Sequence, residues 1–247
     1  LIFIALIKYY IKSLSRKVYW LYRLSKSDLG KNINISFPFR LEGKGQLKIG
    51  DTCQLGKNIS FGISHGASLR LYNNCVIQNN ASIILANNTK AIIENNFSLG
   101  EFSKLYINAL WVIKENVTIA SNCSISAREK QGNGSFYIGK NSNIGDNTII
   151  DLVDDVIIED DVAIGPNCTL YTHDHDYSDK SLASWKGEIH KGKISIKKGA
   201  WIGSNVTILP GVVIGERSVI AAGSVLTKSV PSNCIYGGIP AKFIKEI

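Results

Sequence analysis

The chain has 247 residues, 45% of them hydrophobic, with a formal charge of +8, five cysteines and no methionine. That is enough apolar material for one full core with an appendage. The charge does not describe a nucleic-acid binder, because Lys8, Lys12, Arg16, Lys17, Arg23, Lys26 and Lys31 against Asp28 put +6 into residues 1 to 31 and leave +2 for the rest, with no basic groove carrying interleaved aromatics.

The first 26 residues lack Pro and Gly and read as a helix. At about 100° per residue, Lys8, Lys12, Arg16, Arg23 and Lys26 fall within roughly 80° of arc, with Phe3, Leu14 and Leu21 on other faces. A basic stripe beside Tyr, Trp and aliphatic side chains suits a helix lying in a membrane interface. The apolar run ends at Ile7, well short of the ~20 residues a span requires. The expectation is an amphipathic element over 1–31, in peripheral contact with a membrane through residues 1–26, followed by a lead-in over 32–48.

From Ile49 apolar residues recur every six positions, in threes: Ile49, Leu55 and Phe61; Leu71, Ile77 and Ile83; and so on through Ile214, Ile220 and Leu226. Three apolar corners per turn describe a triangular solenoid whose sides are short parallel strands. Eight such triplets predict about eight coils over 49–230. Asn stands three places after the apolar residue at 58, 74, 80, 96, 116, 122, 141, 147, 167 and 205, where it suits a left-handed corner. Gly56, Gly100, Gly145, Gly165, Gly203 and Gly215 take the place after the apolar residue, so they are corner glycines and not a phosphate loop. Cys53, Cys75, Cys123 and Cys168 occupy a small-residue slot of the unit and are expected as core thiols, in keeping with a cytoplasmic setting. The GNG of Gly132 to Gly134 reads as a surface loop.

The rhythm stops once. Leu170 and Ile196 are 26 residues apart, so residues 171–195 are looped out, carrying three of the four histidines, His173, His175 and His190. Residues 231–247 then form a short C-terminal cap.

Units of the form apolar-Gly-x-Asn-small-x, as in Ile144 to Ile149 and Ile202 to Thr207, and above all the run WIGSNVTILPGVVIGERSVIAAGSVLTKSVPSNCIYGGIPAKFIKEI, resemble the hexapeptide-repeat acetyltransferases, in the galactoside and maltose branch and the O-acetyltransferases of surface-polysaccharide synthesis. The resemblance implies an all-β fold, a left-handed parallel β-helix, assembled as a homotrimer with acetyl-coenzyme A between subunits and no metal required. It implies direct acetyl transfer to a sugar hydroxyl of a bacterial surface polysaccharide or its precursor, and the basic N-terminal helix is expected to hold the protein at the inner face of the cytoplasmic membrane.

In this family a histidine at the start of the extruded loop is the base. The count from Leu170 puts that position on His175, leaving His173 as the extra one. Asp151 is the favoured orienting carboxylate, facing His175 across a subunit boundary, with Asp174, Asp176 and Asp179 as local candidates. The coenzyme positions fall on Ser204, Ala222, Thr227, Lys228, Lys242 and Lys245, the last two being Lys where the family often has Arg. Asp176, Tyr177 and Trp185 are expected to wall the acceptor. Two other readings stay open: an N-acetyltransferase on an amino-sugar nucleotide, and a zinc hydratase of the γ-carbonic-anhydrase type, for which His173, His175 and His190 are the available ligands.

Overall fold

A computed structural model describes residues 2–247; Leu1 and the side chain of Phe3, part of the predicted helix, lie outside the described residues. The helix, α1, runs Ile2–Leu24 and ends short of the residue 31 expected. Most of it stands clear of the body, with Tyr9, Tyr10, Ile11, Leu14 and Val18 all exposed. Its anchor is the last turn, where Leu24 is buried, Trp20 packs against the core and the Arg23 guanidinium donates to the Gly43 carbonyl.

Beyond α1 the chain is a left-handed parallel β-helix of three faces. One face stacks nine strands, from Asp28–Leu29 to Val213–Ile214. A second stacks nine from Asn34–Ile35 to Val219–Ile220, extended by Cys234–Gly238 and Ala241–Glu246. The third stacks nine from Phe39–Gly43 to Val225–Leu226. At ~4.8 Å per coil the prism is roughly 38 Å long. The coil count is thus nine, not about eight. Residues 32–48 are no lead-in, because Leu29, Ile35 and Leu41 already form a triplet that pairs in register with Ile49, Leu55 and Phe61.

Stacking puts like on like. On the first face Ile49 lies opposite Leu71, and the ladder continues through Ile93, Ile113, Ile138, Ile158, Ile196 and Ile214. These side chains are almost wholly buried, each stabilising the prism by about 1.5–3 kcal/mol through apolar burial. Cys53, Cys75, Cys123 and Cys168 are free and buried as expected, and Cys234 is too; burial raises the thiol pKa of Cys123 and Cys168. The ladder passes straight under the insertion: Val156–Ile158 pairs directly with Ile194–Ile196, and Thr169 and Leu170 pair with Thr207 and Ile208.

Corner chemistry divides between two residue types. All ten asparagines hold positive φ, between 58° and 61°, a region L-residues enter at a cost that Asn bears best. Their amides also join successive coils, Asn74 donating to Asn96, Asn96 to Asn116, Asn116 to Asn141 and Asn141 to Asp161. The corner glycines contribute room instead. A Cβ on Gly203 would stand 2.7 Å from the backbone nitrogen of Ala222, and one on Gly165 2.8 Å from the carbonyl carbon of Gly203. At Asn116, with φ of 59°, Asn116→Val is expected to destabilise the fold by about 1–2 kcal/mol more than Asn116→Gly, compared by chemical denaturation. Both changes delete the amide link, so equal losses would mean that the link matters and the backbone conformation does not.

Candidate functional site

The insertion leaves the prism from the end of the third face. Tyr171 still bonds to the coil, its N–H donating to the Ile208 carbonyl, and the next residues turn outward as a two-stranded antiparallel ribbon, His173–His175 against Ile189–Lys191. A short 3-10 turn, Ser184–Lys186, lies at its far end. The ribbon thus fixes two histidines at the root of the insertion, over the strand Ile149–Asp151.

Asp151 follows the inward-facing Ile150 and by strand alternation should reach solvent, yet it is 0% exposed. The returning chain covers it. Its Oδ1 accepts from the Arg128 backbone N–H at 3.0 Å. Its Oδ2 accepts from the Thr172 hydroxyl at 3.0 Å and from His173 Nδ1 at 2.7 Å, with the Thr172 N–H at 3.3 Å. A buried carboxylate needs such partners. Because an ionised carboxylate only accepts, the His173 ring proton belongs on Nδ1 and the Nε2 lone pair points away from Asp151. The His173 side chain is 10% exposed, enough to meet a ligand.

Within the chain Asp151 pairs with His173, not with the His175 that the sequence suggested. His175 Nδ1 faces the Gly187 carbonyl at 3.3 Å. The two imidazoles pack edge to face, centroids 5.6 Å apart. The other candidate carboxylates are engaged locally. Asp174 accepts from the His175 N–H. Asp176 is held below the usual carboxylate range by the Ser178 N–H and hydroxyl, helped by His190, and Asp179 likewise by Ser181. His190 lies 3.8 Å from Asp176 and is 65% exposed, so the three histidines of the zinc-hydratase reading do not converge.

Sequence reasoning ranked His173 below His175 and missed Glu129, whose Oε1 stands 3.9 Å from Nε2 of both histidines. Glu129 comes from the excursion between the strands Ser124–Ser126 and Phe136–Ile138. The only sequence signal was the late beat from Ile125 to Ile138, taken for a plain surface loop.

The expected coenzyme positions gather toward the C-terminal end of the prism. Ser204 and Ala222 sit at stacked corners, where the Gly223 N–H donates to the Ser204 carbonyl. Thr227 and Lys228 follow Val225–Leu226 on the same face as the histidine root, two coils further along, or about 10 Å. Lys242 and Lys245 lie on the terminal strand opposite Gly237 and Ile235. Tyr177 and Trp185 are 74% and 69% exposed on the insertion, forming an open rim with Lys186 stacked over Trp185.

Comparison with known proteins agrees with this architecture. Residues 193–228 match the family described as bacterial transferase hexapeptide (six repeats), and residues 46–84 match the hexapeptide repeat of succinyl-transferase. The chain is 42% identical over 118 residues to galactoside O-acetyltransferase of Escherichia coli strain K12, covering 45% of this chain and 57% of that one. It is 30% identical over 122 residues to a putative lipopolysaccharide biosynthesis O-acetyl transferase of the same organism, covering 47% and 62%. Among solved structures, a hexapeptide-repeat acetyltransferase of Vibrio cholerae O1 biovar eltor complexed with acetyl coenzyme A is 34% identical, covering 49% and 63%, with a TM-score of 0.44. The chain spans about three fifths of the length of these curated relatives. With hexapeptide repeats matched at two places, a left-handed coil and these relatives, the chain is a hexapeptide-repeat protein similar to acetyltransferases built on such repeats.

Proposed function

We propose that the protein transfers the acetyl group of acetyl-coenzyme A directly to a hydroxyl of a surface-polysaccharide sugar or its precursor, with the Asp151–His173 pair as the base unit. The observation that carries this reading is the buried Asp151 carboxylate 2.7 Å from His173 Nδ1, which leaves the imidazole lone pair on Nε2 at the partly exposed root of the loop. Acyl transfer from a thioester to a hydroxyl requires removal of the hydroxyl proton as oxygen attacks, and a neutral imidazole does this near neutral pH. The collapsing tetrahedral intermediate expels coenzyme A thiolate, which takes up the proton from the imidazolium. No acyl-enzyme is needed, in keeping with five thiols all sealed in the core.

His175, the family's position by sequence count, stands beside His173 and serves acceptor binding in this scheme, with Asp176, Tyr177 and Trp185 forming the outer wall. Ser204 and Ala222 line the pantetheine path, and Thr227, Lys228, Lys242 and Lys245 meet the phosphates, the lysines as point charges. The exposed apolar residues Trp201, Val213 and Ile239 on the prism support a homotrimer, in which a neighbouring subunit would close the coenzyme cleft. The test is free thiol released from acetyl-coenzyme A by the purified protein, with galactosides and polysaccharide precursors as acceptors. Acceptor-dependent thiol release with an O-acetyl ester in the product is expected, and turnover that yields only N-acetyl product would overturn the O-transfer reading.

Membrane attachment is part of the proposal. Among the described residues no helix is long and apolar enough to cross a bilayer. Along α1, however, Ile11, Leu14, Val18, Tyr19 and Tyr22 form an apolar groove beside the basic stripe. Where α1 meets the first coils, a cleft of about 760 Å³ is lined by Arg23, Lys26, Lys44, Lys48, Arg70 and Lys90 against Asp28 and Glu42. An apolar helix face next to a cationic cleft suits an anionic lipid surface, at about 1 kcal/mol per basic residue near the headgroups. Removal of residues 1–26 should move the protein from co-sedimentation with vesicles rich in phosphatidylglycerol to the supernatant. Unchanged partition would sink this part.

A further inference from the structure

Three hydrogen-bond acceptors converge at the root of the extruded loop. His173 Nδ1 faces an Asp151 carboxylate oxygen at 2.7 Å and His175 Nδ1 faces the Gly187 carbonyl at 3.3 Å. Both partners can only accept, so each ring keeps its proton on Nδ1 and presents a lone pair at Nε2. Both Nε2 atoms lie 3.9 Å from Glu129 Oε1, and the three ligand atoms are all within 4.8 Å of one another. Two imidazole lone pairs and a carboxylate oxygen this close together make a favourable place for a cation.

We propose that Glu129, His173 and His175 form a binding site for a divalent transition metal of the zinc type, and that metal bound there reversibly inhibits acetyl transfer. Imidazole with one carboxylate selects zinc, cobalt or nickel over calcium and magnesium, which want oxygen ligands. Ligand bonds of about 2.0–2.1 Å in a tetrahedral site bring ligand atoms about 3.3 Å apart, so the three side chains need to draw in by roughly half an ångström to an ångström. His173 is held by Asp151, while Glu129 and His175, with side chains 34% and 25% exposed, have room to draw toward it. Asp151 behind His173 is the carboxylate that a metal-bound histidine ordinarily has, and it orients the ring and raises its basicity. The inhibitory role rests on the reading of His173 as base, since a metal on Nε2 occupies the lone pair that would take the hydroxyl proton. The site itself does not rest on that reading.

The test uses the full chain, stripped with chelator and titrated with Co²⁺, whose visible absorption reports tetrahedral nitrogen and oxygen ligation, and then with Zn²⁺ in competition. One equivalent per chain is expected, with no binding of Ca²⁺ or Mg²⁺. Glu129→Ala and His175→Ala should each weaken Co²⁺ binding more than tenfold, and Asp151→Asn should do so about 10–100-fold. Acetyl transfer should fall as Zn²⁺ fills the site and return on chelation. Failure to bind Co²⁺, or binding untouched by Glu129→Ala and His175→Ala together, overturns the site even if His173→Ala is inactive. Zinc bound by these ligands while transfer runs at full rate overturns the inhibition, and with it the assignment of His173 as base.

Discussion

Replacing His173 by alanine is expected to lower kcat for acetyl transfer by about 10²–10⁴-fold, the range associated with a positioned general base, with little change in the KM for acetyl-coenzyme A. His175→Ala should cost less than about tenfold in kcat and act mainly on the acceptor's KM, because His175 lacks the buried carboxylate that orients its neighbour. Asp151→Asn should fall between them. Its amide can offer a donor to Nδ1 and so move the ring proton to Nε2, where the acceptor's hydroxyl must deliver its own. A His175→Ala variant as inactive as His173→Ala, with the Asp151→Asn variant unimpaired, would return the base to the position chosen by counting.

Trp111→Ala is expected to destabilise the protein by about 3–5 kcal/mol, seen as a fall in Tm on the order of 10 °C for a chain of this size. The indole is fully buried where neighbouring coils contribute mostly aliphatic residues, stacked edge to face on Phe136 at 4.9 Å between centroids. Its loss leaves a cavity inside a prism whose backbone ladders cannot close inward. Trp111→Phe should cost less than about 1.5 kcal/mol, because the indole Nε1 has no hydrogen-bond partner to lose. The Phe136 that leans on Trp111 lies just after the excursion carrying Glu129, and Ser126 before it pairs with Asp151. Acetyl transfer should therefore weaken in Trp111→Ala below its melting transition. A melting temperature unmoved by the alanine change would refute the account of the core.

The repeat was legible because each corner makes the same physical demand. An inward apolar residue, a glycine where the next coil's backbone comes within 3 Å, and an asparagine at positive φ recur at most corners, with Thr52, Phe102, Asp161 and Arg217 taking the asparagine's place at others. Leu29, Ile35 and Leu41 keep the same six-residue spacing, but only the first of their corners carries the Gly and Asn of the repeat, as Gly30 and Asn32, so the first coil reads as a lead-in. The site was legible only in part. His173, His175 and Asp151 stood out by type and position, yet their pairing depends on how the ribbon leaves the coil: Thr172 turns inward and is fully buried, which swings His173 back over Asp151 and carries His175 past it. Counting residues assumes a straight continuation. Glu129 was hidden for a related reason, since an excursion without repeats gives no register from which to locate its side chains.

Because Val156–Ile158 stacks on Ile194–Ile196 and Thr169–Leu170 on Thr207–Ile208, the ribbon between Leu170 and Ile194 adds no rung to the prism's ladders. Residues 176–188, beyond the paired root of the ribbon, can lengthen, shorten or change composition while every ladder above and below stays in place. A scaffold of this kind separates inheritance of the catalytic pair, which is tied to the coil through Asp151 and Thr172, from inheritance of acceptor choice, which hangs beyond it. New specificities can then arise by exchange of one hairpin, with the stability of the fold left untouched.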